Sequence, residues 1–556
     1  MLNSLPLLLA PFATFPSVGL DLLPEPTDPL TIAEASGYTR SSRLDDVVHF
    51  LDQLEGLPNS EVLTRRVIGR TTEGRDLVAV TAALPGKTEV RHSVIVNATI
   101  HGGEIEGKAA VQILLREFAL GRHHDLLEGL SITFIPVYNA DGNDRISRRN
   151  RVSQNGPVGG VGQRPNAMGL DLNRDFVKVE APETRALMKL CRELEPIAFM
   201  DLHTTNGSPH GYDLTYAPSL SPNAHPGLDD YVREQLFPSV RAQLEARDGV
   251  RTFDYGILRY PPRERGSRGK RGTPIAWNTY DSRPRFGTNL MGLRGTLPIL
   301  SEAYSYLPYK RRVEVTYAFT LECLRRIAED RGTIAALRAE DTTFDGLAVG
   351  AKHGPAERLS VRVGSVTSLL VDLDPTTPGE QTGRRNVASP RDEASAVEMD
   401  VNRRFSGSRS APVGRAWAIP NPSKDLLETL EVHLGNLAGR RLAQGVELPL
   451  QAFAIESAKR NDALFQGHRE VSITGSFEAR RMTLPAGTLI LPSTRLTAHL
   501  LHPESDDSLA TWNAFDQQLF PDGPASGTTP GDPAATHDHI YPVLMLEDVP
   551  GDLVFR

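Results

Sequence analysis

The sequence predicts an α/β fold, a mixed and largely parallel central sheet flanked by helices, followed by a β-rich C-terminal region. Three observations carry this. Apolar, β-branched runs end abruptly in polar, chemistry-bearing residues. Helix-like stretches separate those runs, and strands alternating with helices build parallel sheets. Beyond residue 340 the texture changes to turn formers and short strand-like runs.

Taken in order, Leu44 to Leu57 has the apolar spacing of an amphipathic helix. Ser93-Val-Ile-Val-Asn-Ala-Thr-Ile100 reads as a buried strand without Pro or Gly. Ile105 to Leu120 reads as the helix that follows it, and Ile132 to Gly142 as a further strand ending in a turn. Pro182 to Glu195 is a helix with Pro in its first turn. Pro196 to His203 and Gly295 to Tyr304 are two more apolar strands, and Lys310 to about Glu340 is a long helix that closes this first domain. Strand-like runs recur at 359–363, 470–474 and 489–491, whereas 378–398 and 521–536 read as loops or linkers. His537-Asp-His539 reads as a solvated turn rather than a metal site. The expected organisation is a tail or atypical signal segment over 1–30, a catalytic domain over 31–339 and an accessory domain over 340–556.

Composition narrows the classes. With 556 residues, 39% of them hydrophobic, the chain can bury one large core and a smaller second one. A net charge of −8 argues against a general nucleic-acid binder. Two cysteines, Cys191 and Cys323, exclude a disulfide scaffold and a cysteine-rich metal site; buried free thiols are expected, with one disulfide left open. Met1 to Leu20 carries no charge, so the positive start of a secretory signal is missing, and Pro6, Pro11 and Pro16 argue against a membrane-spanning helix. An atypical signal segment and a plain tail both stay open, with an extracytoplasmic location expected. No later run is long and apolar enough to span a bilayer.

The chemistry concentrates at the strand ends. His101-Gly-Gly-Glu104 leaves the first strand, its glycines permitting a tight turn. Imidazole and carboxylate are good zinc ligands, and a catalytic zinc takes three protein ligands and keeps one position open. His203 ends the second strand before the polar loop Thr204-Thr-Asn-Gly-Ser208. Ligands of open α/β sheets bind beyond the carboxyl ends of strands, so His101, Glu104 and His203 converge if their strands are neighbours. Glu302 lies inside an apolar strand, where a carboxylate is costly unless paired or employed. It is the candidate general base; pairing with an arginine is the competing reading. Arg148, Arg149 and Arg151 follow the 132–142 strand, then comes Gly169-Leu-Asp-Leu-Asn-Arg-Asp-Phe176. Arginine forks suit a substrate carboxylate and a developing oxyanion.

In these blocks the chain resembles the zinc metallocarboxypeptidases of the carboxypeptidase A/B type. His101-Gly-Gly-Glu104, Asn139-Ala-Asp-Gly142, Gly169 to Phe176 and Asp201-Leu-His203, with Glu302 beyond, match in order and spacing, and Ile68 to Leu77 resembles the family's early strand pair. The resemblance covers roughly residues 35–335. It implies one Zn2+ held by His101, Glu104 and His203, with Glu302 as general base. It also implies Arg148 as the group polarising the scissile carbonyl, and Asn173 and Arg174 as the holders of the substrate's terminal carboxylate. For the family's mobile tyrosine, Tyr280 is the candidate by its distance from Glu302, with Tyr260 as an alternative. Glu504 to Asn513 resembles a tail segment of some bacterial relatives and receives no function.

From Arg259 to Arg294 nine Lys or Arg face two acids, a net of +7. This segment reads either as a solvated basic loop or as a cleft that draws acidic chain ends. The implied function is a zinc carboxypeptidase acting on peptides with a free C-terminal carboxylate, with no nucleic-acid partner. A zinc amidohydrolase acting on a cell-wall peptide or an N-acyl amino acid is the alternative. A non-catalytic binding protein is the least favoured reading, because every expected catalytic position is filled.

Overall fold

The computed structural model describes residues 27–556 apart from 87–91, 263–271, 341–343, 345, 374–382, 392–393, 521–538, 552 and 556. The uncharged segment 1–20 and the loop expected over 521–536 therefore lie outside the described residues.

The architecture is mixed α/β. An eight-stranded sheet runs in the order β1-β2-β4-β3-β5-β10-β6-β7. Its strands are β1 (Leu63–Arg70), β2 (Asp76–Ala82), β3 (His92–Ala98), β4 (Leu130–Ile135), β5 (Ala198–Thr204), β6 (Leu214–Ala217), β7 (Thr252–Asp254) and β10 (Leu297–Ala303). Strands β4, β3, β5 and β10 are parallel neighbours. The early pair β1 and β2 is antiparallel, with a register shift between Val67 and Gly69. On the other side β6 pairs antiparallel with β10.

The central strands read as unbroken apolar runs because both of their faces are covered. Val94, Val96, Met200 and Leu202 pack into a core with the helices Glu106–Ala119 and Tyr309–Glu340. Ile95 and Phe199 face a second core that includes Leu187, Met291, Trp417, Phe453 and Trp512. The expected helices are present as Leu44–Leu54, Glu106–Ala119, Pro182–Leu194 and Tyr309–Glu340. Asp46 anchors the start of the first by accepting from the Arg43 N–H at 2.8 Å. Cys191 and Cys323 are both buried free thiols.

The region after 340 is β-rich and joined to what precedes it. Strands β8 (Ile257–Arg259) and β9 (Ala276–Asn278) share a four-stranded sheet with Glu357–Val363 and Ser395–Asn402. The second core crosses the same seam. The long strands Val446–Arg460 and Val471–Leu484 pair antiparallel within a five-stranded sheet that also contains Leu489–Pro492. The loop expected over 378–398 is corrected in part: Gly383–Pro390 pairs with Val366–Leu373, and 395–398 begin the strand Ser395–Asn402. Gly-Arg-Arg-Asn-Val-Ala-Ser-Pro offers no apolar alternation to announce this strand.

Candidate active site

The register of the parallel strands assembles the site. Asp201 of β5 lies opposite Asn97 of β3, and Glu302 of β10 lies opposite His203 of β5. The chain after β3 bends sharply, with the β-branched Thr99 in the left-handed region at φ 64°. Hydrogen bonds from the Tyr138 and Asn139 N–H groups to the Ala98 and Thr99 carbonyls hold that bend. Neither glycine of His101-Gly-Gly-Glu104 has positive φ, so the turn is not what requires them. Close approach is. A Cβ on Gly102 would lie 2.3 Å from the Gly142 carbonyl carbon, and one on Gly103 would lie 2.6 Å from Arg151 Cδ.

His101, Glu104 and His203 are brought together and buried, with one ligand atom of each within 4.8 Å of the others. His101 Nδ1 is 3.0 Å from Glu104 Oε1, and His203 Nδ1 is 2.9 Å from Glu104 Oε2. Behind each ring stands a second carboxylate: Asp171 Oδ1 is 3.0 Å from His101 Nε2, and Asp201 Oδ2 is 2.8 Å from His203 Nε2. Asp201 is itself held by Asn97 Nδ2 at 3.0 Å. Each imidazole thus lies between two acceptors, and Asp201 and Glu104 hold the His203 pKa well above its ordinary value against the pull of burial. A cation among the three groups would replace the Nδ1 protons and leave each Nε2–H donating to its carboxylate, the usual arrangement of a metal-binding histidine. Two nitrogens and one carboxylate form a donor set suited to catalytic zinc.

Glu302 faces this cluster from the next strand. Its Oε2 is shielded from solvent and has no hydrogen-bond partner. Burial pushes its pKa up to about 8, outweighing the attraction of His203. A divalent cation nearby would draw it down again.

Arginines flank the cluster, with a distribution the sequence did not reveal. Arg151 Nη1 donates to Glu104 Oε1 at 2.9 Å, and Arg164 Nε and Nη2 donate to Asp171 Oδ2 at 3.0 and 2.8 Å. Arg148 stands half-buried three residues before Arg151 on the same turn. Asn173 and Arg174 occupy a single helical turn, Leu172–Arg174. Asn173 Oδ1 accepts from the Gly287 N–H at 2.9 Å, and the Arg174 guanidinium lies 3.9 Å above the Phe286 ring. Tyr280 packs 5.1 Å from that ring, with its hydroxyl 3.0 Å from Thr288 Oγ1. Tyr260 packs instead against the cluster around Trp277. Tyr255, which sequence reasoning passed over, meets Tyr280 edge-on at 5.6 Å, and its pKa is raised by burial and then by the Glu302 charge. Asp171 and Asp201 were also missed as partners of the histidines; the signal was a carboxylate two residues before His203 on the same strand face.

The basic run over 259–294 divides. Residues 263, 265, 268, 270 and 271 lie outside the described residues. Arg283 pairs with Asp281, and Arg285 is buried against Asp507 and Glu470. Arg294 Nη1 donates to the His433 carbonyl at 2.9 Å. These three cations are engaged by partners within the fold.

Residues 47–259 match the model of the zinc carboxypeptidase family. Over those residues the chain is similar to the zinc carboxypeptidases, peptide-bond hydrolases of the metallocarboxypeptidase class. It is 23% identical over 534 residues to carboxypeptidase 2 of Trichophyton tonsurans, covering 90% of each chain. It is 22% identical over 537 residues to carboxypeptidase 2 of Trichophyton rubrum, covering 90% of this chain and 89% of that one. A solved metallo-carboxypeptidase from Burkholderia cenocepacia aligns over 52% of this chain and 70% of its own, at 16% identity and a TM-score of 0.39. No helix among the described residues is long and apolar enough to cross a membrane.

Proposed function

We propose that the enzyme removes the C-terminal residue of peptides, with one Zn2+ held by His101, Glu104 and His203. The observation that carries this reading is the pairing of an idle carboxylate oxygen, Glu302 Oε2, with a closed set of three ligands one strand away. Bound zinc would supply Lewis acidity, polarising the scissile carbonyl and acidifying water. Glu302 takes a proton from the attacking water and returns it to the leaving nitrogen. Asp171 and Asp201 keep the two imidazoles oriented. The oxyanion is met by a guanidinium of the 148–151 turn, with Arg148 implied by family resemblance and Arg151 by its contact with Glu104. Asn173 and Arg174 take the terminal carboxylate, and Tyr280 packs beside the Phe286 ring under Arg174.

Acidic chain ends and export from the cytoplasm belong to the same proposal. The first is weakened by the pairing of Arg283 and Arg285, and fractionation tests the second. The deciding assay uses blocked dipeptides that differ only in the terminal residue, with zinc quantified and a chelator added in parallel. Chelator-sensitive release of the terminal amino acid is expected. A zinc-loaded protein inactive on that panel would favour the amidohydrolase reading.

A further inference from the structure

A cavity of about 220 Å³ lies one strand beyond the metal cluster, bordered by Asp213 just before β6 and by Tyr304 just after β10. Among the described residues its walls carry four arginines, Arg251, Arg311, Arg362 and Arg391, and the carboxylate of Asp213. Asp213 is already engaged: Oδ1 is 3.3 Å from Arg311 Nη2, and Oδ2 accepts from the Arg251 N–H at 2.9 Å. Glu314, the other acid near Arg311, stands 3.8 Å from Nη1.

Several donors of the described residues have no acceptor here. His210, 2% exposed, is stacked 4.1 Å from Tyr304. Its Nδ1 accepts from the Tyr212 N–H at 3.3 Å, which puts the ring proton on Nε2, and Nε2 is shielded without a partner. Arg362 Nε is likewise shielded and unpartnered, and Arg311 Nη1 has no hydrogen bond beyond the distant Glu314. Buried donors of this kind are costly unless something accepts from them.

We propose that this cavity binds a compact oxyanion, a phosphate or carboxylate group, seated among Arg311, Arg362 and the His210 Nε2–H. Guanidinium forks match such oxygens in pairs, and a neutral imidazole N–H adds a donor without adding charge. The site is separate from the metal cluster, and its existence does not depend on the catalytic roles proposed above. Two sources share this chemistry: a free anion, or an acidic side chain of the peptide being cleaved.

The test is calorimetric titration of the full-length, zinc-loaded protein with inorganic phosphate, against chloride at matched ionic strength. Saturable binding is expected, weakened about tenfold or more in Arg362→Gln and in Arg391→Gln, each a change of a solvent-reachable side chain. In parallel, KM is compared for peptides with an acidic or an amide residue upstream of the scissile bond. An acidic advantage lost in Arg362→Gln identifies the substrate as the source, and phosphate binding without that advantage identifies a free anion; both support the site. No saturable binding together with no acidic advantage overturns it, as does binding that both variants leave unchanged.

Discussion

Two buried charge clusters sit on either side of Asn173 and Arg174, and they are built oppositely. At the metal cluster, Glu104, Asp171 and Asp201 hold the His101 and His203 rings, with Arg151, Arg164 and Arg174 alongside, and Glu302 Oε2 has no hydrogen-bond partner. At the second cluster Arg285 is enclosed by Asp507 and Glu470, with Trp512 Nε1 donating to Asp507 at 2.9 Å and the Trp512 ring 4.5 Å from the guanidinium. The first leaves an acceptor idle; the second pairs its cation twice and stacks it. A convergent ligand set with an idle acceptor is suited to hold something from outside the chain, and a cation enclosed by its own carboxylates holds the chain to itself. Breaking the first should cost activity, and breaking the second should cost stability.

The largest effect is expected at Glu302. Glu302→Gln keeps shape and removes the base, so kcat should fall by about 10²–10⁴-fold with zinc content and melting temperature unchanged. Stopped assays with metal analysis check this; a variant of near-normal kcat would break the division of roles. Next comes the Arg285 cluster. Asp507→Ala leaves a buried guanidinium with one partner fewer, which should cost about 3–5 kcal/mol, read as a lower denaturation midpoint. Zinc affinity of the folded fraction should hold. Stability within error of wild type would show that Arg285 is solvated by other means.

The orienting carboxylates are expected to matter less than the base. Asp201→Asn or Asp171→Asn should weaken zinc binding by about 10–100-fold, measured by chelator competition. The contrast with Glu302→Gln is diagnostic, since one loses metal and the other loses rate. A loss of rate at full zinc occupancy in Asp201→Asn would move it from a supporting role to the reaction itself.

What was legible follows from distance along the chain. Strands β3, β5 and β10, and the groups that leave their ends, were readable because an apolar run and its terminal polar residue are local features. Their convergence needed only the rule that active groups gather at one edge of a parallel sheet. The Asp507 contact to Arg285 spans 222 residues, and nothing near either residue announces it. Arg148 was singled out by resemblance alone, because consecutive loop arginines look alike until the turn is built, and Arg164 gave no local sign of its contact with Asp171. The basic run left two readings open because charge counted along a sequence ignores partners elsewhere, here Glu470, Asp507 and the His433 carbonyl. The tail segment 504–513 had no assigned role, and its Asp507 and Trp512 turn out to enclose Arg285.

The smallest effect lies where the C-terminal hairpin meets the site. Gln466 Oε1 accepts from the Asp171 N–H at 2.8 Å, and two residues on His468 Nε2 lies 2.8 Å from Glu180 Oε1. The hydrogen bond to Glu180 raises the His468 pKa, and against the pull of burial His468 and Lys178 lower that of Glu180 to about 2. The two signs bound a pH window. A raised histidine pKa contributes fully below its unfolded value of about 6.5 and is lost as pH climbs through the folded one. A depressed carboxylate pKa contributes above its unfolded value of about 4.3 and is lost as pH falls through the folded one. The pair is therefore strongest between roughly pH 4.3 and 6.5. His468→Gln should destabilise by less than about 1 kcal/mol there, given the partial exposure of both groups, and by less still near pH 8.5. A stability difference that grows with pH would show that His468 is neutral in the folded protein and that the contact is an ordinary hydrogen bond.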